Sequence, residues 1–180
     1  MRDTVARIRA LVTGWSPEQF ARGYAPGKWD ARRILIHLAQ SEIALGYRAR
    51  MALTSPGYTA QPFDQDRWMS IEAGGAGGSG GSGEAGGAGG SGGAGGSGGS
   101  GLPAEARSAK VGGLSGAEAL DAFLGLAAMN TALFASLSDA DRAVALAHPE
   151  YGSLTVDWII HQMAGHQIHH LAQLDAVATR

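Results

Sequence analysis

Four of the chain's six histidines, His161, His166, His169 and His170, fall within one stretch near its C-terminal end. On a helix turning 100° per residue, His166 and His170 stand about 40° apart in azimuth and about 6 Å apart along the axis. That is the spacing at which two imidazoles bind one metal ion. Measured from His166, Gln173 lies at about −20°, Gln162 at about −40° and His169 at about −60°, whereas His161 lies about 140° away on another face. The pair is half of a site, so a third ligand must come from elsewhere in the chain. His37 is the candidate, because it falls among the inward positions of another helix. The competing reading of His37 is a buried histidine hydrogen-bonded to a neighbouring backbone or side-chain group.

Three neutral imidazoles leave one or more coordination positions for water or substrate, the open arrangement of a catalytic metal site. With no cysteine in the chain, any ion must be held by nitrogen and oxygen. Imidazole suits zinc, nickel, iron and copper alike. The same azimuthal arithmetic puts Ser41 beside His37 and Glu42 about 140° round, which makes Glu42 a poor fourth ligand. No carboxylate falls on the ligand faces and no general base can be named, which argues against protease-type metal hydrolysis.

The elements that must position these residues read as four helices. The first runs from Asp3 to about Thr13, with Val5, Ile8, Leu11 and Val12 at helical spacing. Ser16-Pro17-Glu18 then starts a short turn of helix. Asp30 caps the second helix, Ala31 to about Leu53, whose inward positions include Ile34, His37, Leu38, Ser41, Leu45 and Ala52. Ser115-Gly-Ala-Glu118 is a capping box that opens the third, which runs to about Leu137 on a stripe of Leu120, Phe123, Leu124, Ala127 and Phe134. The fourth extends from about Thr155 to Val177, after a loop at His148-Pro-Glu-Tyr-Gly152. No convincing strand is expected. The fold class is therefore all-α, a four-helix bundle. Trp29, Phe63 and Trp68 are expected at the end of the bundle, either lining a pocket or simply packing.

Residues 73–101 are almost purely Gly, Ser and Ala, a composition that buries nothing. They read as a flexible linker of about 29 residues with an end-to-end distance near 30 Å. Natural repeat expansion and an engineered splice fit its composition equally. Its glycines make no phosphate loop, since no Gly-Lys-Ser/Thr ending is present. The remainder of residues 1–180 has one core, hence a single domain. A net charge of −2 with scattered basic residues speaks against nucleic acid as a partner. Neither a signal-peptide pattern nor a run of membrane-spanning length is evident, so a cytoplasmic location with no membrane partner is expected.

Several stretches together resemble the DinB/YfiT-like family of four-helix, metal-dependent proteins: Gly27-Lys-Trp29 through His37 to Glu42, Phe63-Asp-Gln-Asp-Arg-Trp68, His148-Pro-Glu-Tyr-Gly152 and Gly165-His166 through His169-His170 to Gln173. The resemblance implies a three-histidine site made by His37, His166 and His170, holding a divalent ion, with zinc or nickel expected. It also implies a bundle in which the second and third helices run parallel through a long crossover, where residues 73–101 fall. Family members include transferases and isomerases that use low-molecular-weight thiols, and others described as metal-dependent hydrolases. The expected partner is thus a small-molecule substrate, with a low-molecular-weight thiol as cosubstrate. Ser41, Gln162, His169 and Gln173 are candidates for orienting ligands or substrate. The competing expectation is a non-catalytic bundle, able to form a homodimer, that binds metal or a small ligand in a stress response.

Overall fold

The structure, a computed structural model, describes residues 1–72 and 113–180. The proposed linker at 73–101 lies outside the described residues. In chain order the elements are α1 (Arg2–Val12), α2 (Pro17–Phe20), α3 (Ala31–Thr54), α4 (Gln65–Glu72), α5 (Gly116–Ser136), α6 (Asp139–Arg142), β1 (Ala145–His148), β2 (Gly152–Thr155) and α7 (Val156–Ala178). The four long helices are α1, α3, α5 and α7.

Their starts are fixed by side-chain caps, each worth about 1 kcal/mol. Asp30 Oδ1 accepts from the Arg33 amide at 2.8 Å at the head of α3. Ser115 and Glu118 form a reciprocal capping box on α5. Thr155 Oγ1 accepts from the Trp158 amide at 3.1 Å to begin α7.

Cross-helix contacts give the directions. Arg32, at the start of α3, donates from Nε to the carbonyl of Leu114 just before α5, at 2.6 Å. Further along, Asn130 of α5 donates to the Glu42 carbonyl of α3 at 2.9 Å. Helices α3 and α5 therefore run parallel, as a long crossover between them requires. Arg7 of α1 approaches Asp175 near the end of α7, while the start of α1 lies beside Ile160 and His161 near the start of α7, so these two are parallel as well. The bundle thus consists of α1 and α7 running one way and α3 and α5 the other.

The core has two apolar halves. Ile8, Val12, Phe20, Ile34, Leu38, Leu120, Phe123 and Leu174 belong to one. Ala49, Ala52, Phe134, Leu146, Val156, Ile159 and Met163 belong to the other. Buried polar residues from three helices accompany them: His37, Gln40, Ser41 and Glu42 from α3, Asn130 from α5, Gln167 and His170 from α7. Helix α3 is buried on every face over the run Ile34–Glu42, so it is the central helix of the bundle.

Two expectations need correction. The segment around His148 is a short antiparallel hairpin and not a plain loop, with Ala145 opposite Thr155 and His148 opposite Gly152. Its first strand, Ala-Leu-Ala-His, is poor in β-branched residues and hides the signal, although its burial alternates. Finally, α5 is apolar and long enough by length and composition to cross a membrane, with a mean hydropathy of 1.4, where the sequence reading saw no such run. It lies in the bundle, burying Ala119, Leu120, Phe123, Ala127, Asn130 and Phe134 while exposing Glu118 and Asp121.

Candidate metal centre

Helix α3 delivers His37 and helix α7 delivers His166 and His170 to one point. His37 Nε2 and His166 Nε2 are 2.8 Å apart, and His170 Nε2 and His166 Nε2 are 3.0 Å apart. One nitrogen from each ring lies within 4.8 Å of the others. His37 and His170 are 2% and 3% exposed, whereas His166 is half-buried and forms the solvent side of the cluster. The buried Trp29 ring meets His37 edge to face, with centroids 5.3 Å apart, on the side of the apolar core.

The hydrogen-bond count points to a cation. Gln173 Oε1 lies 2.7 Å from His170 Nδ1, which must therefore carry the proton, leaving His170 Nε2 with a lone pair. His166 Nε2 faces both other Nε2 atoms, yet one proton on it can serve only one of them well. His37 Nδ1 is buried and has no hydrogen-bond partner among the described residues. Three imidazole nitrogens aimed at one point with too few protons between them fit a divalent ion, which accepts all three lone pairs.

Electrostatics keep those lone pairs free. Burial pushes His166 down to about 3 from 6.5, assisted by the neighbouring His170 and His169. Burial likewise lowers His170 to about 4, partly opposed by the Gln173 hydrogen bond. His37 is lowered well below its ordinary value by burial first and by the other histidines second. All three rings are neutral at pH 7, the state in which imidazole binds metal.

The other residues singled out from sequence divide into two groups. Gln173 sits beside the triad and also reaches His169, with Gln173 Nε2 3.0 Å from His169 Nε2. His169 is exposed, its ring 5.1 Å from that of His170. Ser41 is buried one turn after His37. Gln162 is exposed, and its side chain makes no hydrogen bond among the described residues. Phe63 and Trp68 stack edge to face on each other, with centroids 4.7 Å apart, and both are half-buried. His161, set aside on azimuth, is exposed and pairs with Asp157 one turn earlier on α7.

Sequence reasoning missed a buried carboxylate. Glu42 is 3% exposed and accepts from Gln167 Nε2 at 2.6 Å and Asn130 Nδ2 at 2.7 Å. Burial raises its pKa, with the two amide hydrogen bonds opposing. Its azimuth puts it off the ligand face, but on a helix packed on every side that direction also faces the core. The signal available was Asn130, an amide on the apolar stripe of α5, three residues after Ala127 and four before Phe134.

The fold and this cluster define a class: a helical bundle whose three-histidine cluster can bind a metal ion. The chain belongs to the DinB superfamily, whose sequence profile matches residues 1–174. The Oceanobacillus iheyensis protein named "Putative metal-dependent hydrolase OB0782" is 24% identical over 180 residues, covering 100% of this chain and 83% of that one. A second protein of that organism, "Putative metal-dependent hydrolase OB0413", is 32% identical over 62 residues, 34% of this chain and only 36% of the relative's length. In Geobacillus kaustophilus, "Putative metal-dependent hydrolase GK0616" is 28% identical over 68 residues, 38% of each chain. Among solved structures, the fold is shared with YfiT from Bacillus subtilis, described as a probable metal-dependent hydrolase with an unusual four-helix bundle topology. That match has a TM-score of 0.67 at 19% identity and covers 99% of this chain and 81% of YfiT.

Proposed function

We propose that the chain is a divalent-metal-dependent enzyme in which His37, His166 and His170 hold the ion, zinc or nickel, and that it acts on a small-molecule substrate by hydrolysis or group transfer. The observation that carries this reading is the convergence of three Nε2 atoms from two helices with too few protons to satisfy one another. The metal-dependent hydrolase names of the relatives support the same class.

When bound, a divalent ion supplies Lewis acidity, lowering the pKa of a water or thiol at its open position. The chain supplies the surroundings. Gln173 fixes the His170 tautomer and ring orientation through Nδ1. Trp29 keeps water from the His37 side of the cluster. His169, exposed and held by Gln173, is placed to exchange a proton with solvent or to meet a polar group of the substrate. Glu42 is committed to two amides within the core and is not the general base.

The test is turnover by metal-loaded protein across a panel of activated esters and amides in water, and of electrophiles offered with low-molecular-weight thiols. The expected result is metal-dependent turnover of at least one pair, abolished in His166→Ala. Stoichiometric metal without turnover anywhere on the panel would favour the non-catalytic binding bundle.

A further inference from the structure

The two halves of the histidine cluster lie on different helices, so something must set the register in which they meet. Glu42 occupies the place for it. It is five residues after His37 on α3, about 7.5 Å further along the axis. Its Oε1 accepts from Gln167 Nε2 of α7 at 2.6 Å, and Gln167 directly follows His166. Its Oε2 accepts from Asn130 Nδ2 of α5 at 2.7 Å, and the same amide reaches the Glu42 carbonyl at 2.9 Å. One carboxylate therefore binds three helices.

The anchor on α5 is itself built in. Asn130 Oδ1 accepts from Arg50 Nη1 at 2.7 Å, and that guanidinium nitrogen also donates to the Gly46 carbonyl at 2.9 Å. A Cβ on Gly46 would lie 2.5 Å from Asn130 Oδ1, so only glycine admits the amide there. Asn130 thus cannot turn over without abandoning Arg50, and it presents Nδ2 to Glu42. Arg50 donates to Asn130 and Asn130 to Glu42, while Gln167 donates to Glu42 from the other side, so the network converges on the carboxylate and ends one residue from a histidine of the cluster.

We propose that Glu42 is a positioning residue for the metal centre, pinning α7 against α3 through Gln167 so that His166 and His170 meet His37. Sliding or rotating α7 by one residue would move Gln167 about 100° off the carboxylate and turn both histidines away from His37 together. Hydrogen bonding carries this role, and not charge. Gln167 Oε1 is buried without a partner among the described residues, so in Glu42→Gln the Gln167 amide can turn over and accept from the new side-chain amide. All three helices stay connected in that variant. Gln167→Met keeps the volume but cuts the link to α7 alone.

The inference rests on the metal reading only for its consequence, and its test separates the two. Proton NMR on the metal-free full chain reads the register directly, as cross-relaxation between the imidazole protons of His37 and those of His166 and His170. The contacts are expected in the parent and in Glu42→Gln, and are expected to be lost or weakened in Gln167→Met and Glu42→Leu. Cobalt titration of the same proteins then reads the consequence: affinity lower by roughly 10–100-fold in Gln167→Met, with an altered ligand-field spectrum, and parental behaviour in Glu42→Gln. A purely stabilising role would lower the melting temperature of Gln167→Met and leave its imidazole contacts and cobalt spectrum unchanged, which would overturn the proposal. Should Glu42→Leu fail to fold, Gln167→Met decides. A parent that shows the imidazole contacts but binds no cobalt would sink the metal reading and leave the register assignment standing.

Discussion

The Nε2 atoms of His37 and His166 lie 2.8 Å apart across the interface of α3 and α7, although 129 residues separate them in the chain. Both rings are neutral because burial disfavours their charged forms. Protonating either would place a cation against two other imidazoles in a site with little water, so acid opposes this packing as well as any metal held there.

The metal-free protein should therefore lose stability as pH falls. A histidine whose folded pKa is depressed binds fewer protons folded than unfolded, so its stabilising contribution is complete above the unfolded value of 6.5 and declines on acidification toward the folded values of about 3 for His166 and 4 for His170. Thermal unfolding of chelator-treated protein should show a melting temperature falling between pH 6.5 and 5, above the range where most carboxylates titrate. His166→Leu should flatten that slope. A parent curve that is level across the window would contradict the burial account.

Glu42 contributes with the opposite sign. Its folded pKa is raised by burial, so the folded state holds the proton more tightly, and stability is greatest below the unfolded value of 4.5 and declines as pH rises through the folded value. Glu42→Gln removes that decline while its amide partners can still be satisfied. The melting temperature of Glu42→Gln relative to the parent should increase from pH 4.5 to 7. A constant difference would mean that the amide bonds fully offset the burial of the charge.

Gln173→Leu should weaken metal binding by about 10–100-fold while leaving the helical content intact, because it frees the His170 ring and its tautomer without opening the core. Gln173→Glu keeps an acceptor for His170 Nδ1 and should bind at least as well as the parent. Competition titration against a chromogenic chelator reads both. Equal affinity in Gln173→Leu would show that packing alone orients His170.

Gly46→Ala sets two effects against each other. Alanine gains about 1 kcal/mol over glycine within a helix. Overpacking against Asn130, 2.5 Å from the new Cβ, costs about 1–3 kcal/mol, and displacing Asn130 from its buried bonds adds about 1–3 kcal/mol more. The net expectation is a loss of about 1–5 kcal/mol by urea unfolding. A stabilised variant would mean that Asn130 is not locked in place.

Most of the histidine geometry was legible because it follows from one helix. The azimuths of His161, His166 and His170 separate the exposed residue from the pair that meets His37, and Gln173 falls one turn from His169 on the same face. The caps at Asp30 and Ser115 were readable for the same reason: their signals are local. Glu42 was not legible, since its burial depends on α3 being surrounded on every side, a property of the packed bundle that no single helical wheel contains. Gln167 was hidden likewise, because its role exists only where α7 meets a carboxylate from α3. The hairpin at Ala145–Thr155 was obscured by alanines, whose strand is held by pairing with the backbone at Tyr58 and Ala60 and not by propensity.

The central claim is that one divalent ion is held jointly by α3 and α7, and metal content tests it most directly. Protein loaded with zinc or nickel and freed of excess metal should retain about one ion per chain by elemental analysis, as one three-histidine site allows. His37→Ala and His166→Ala, each removing a ligand from a different helix, should both lose it. Retention of the ion in His37→Ala, or no metal bound by the parent, would contradict the account.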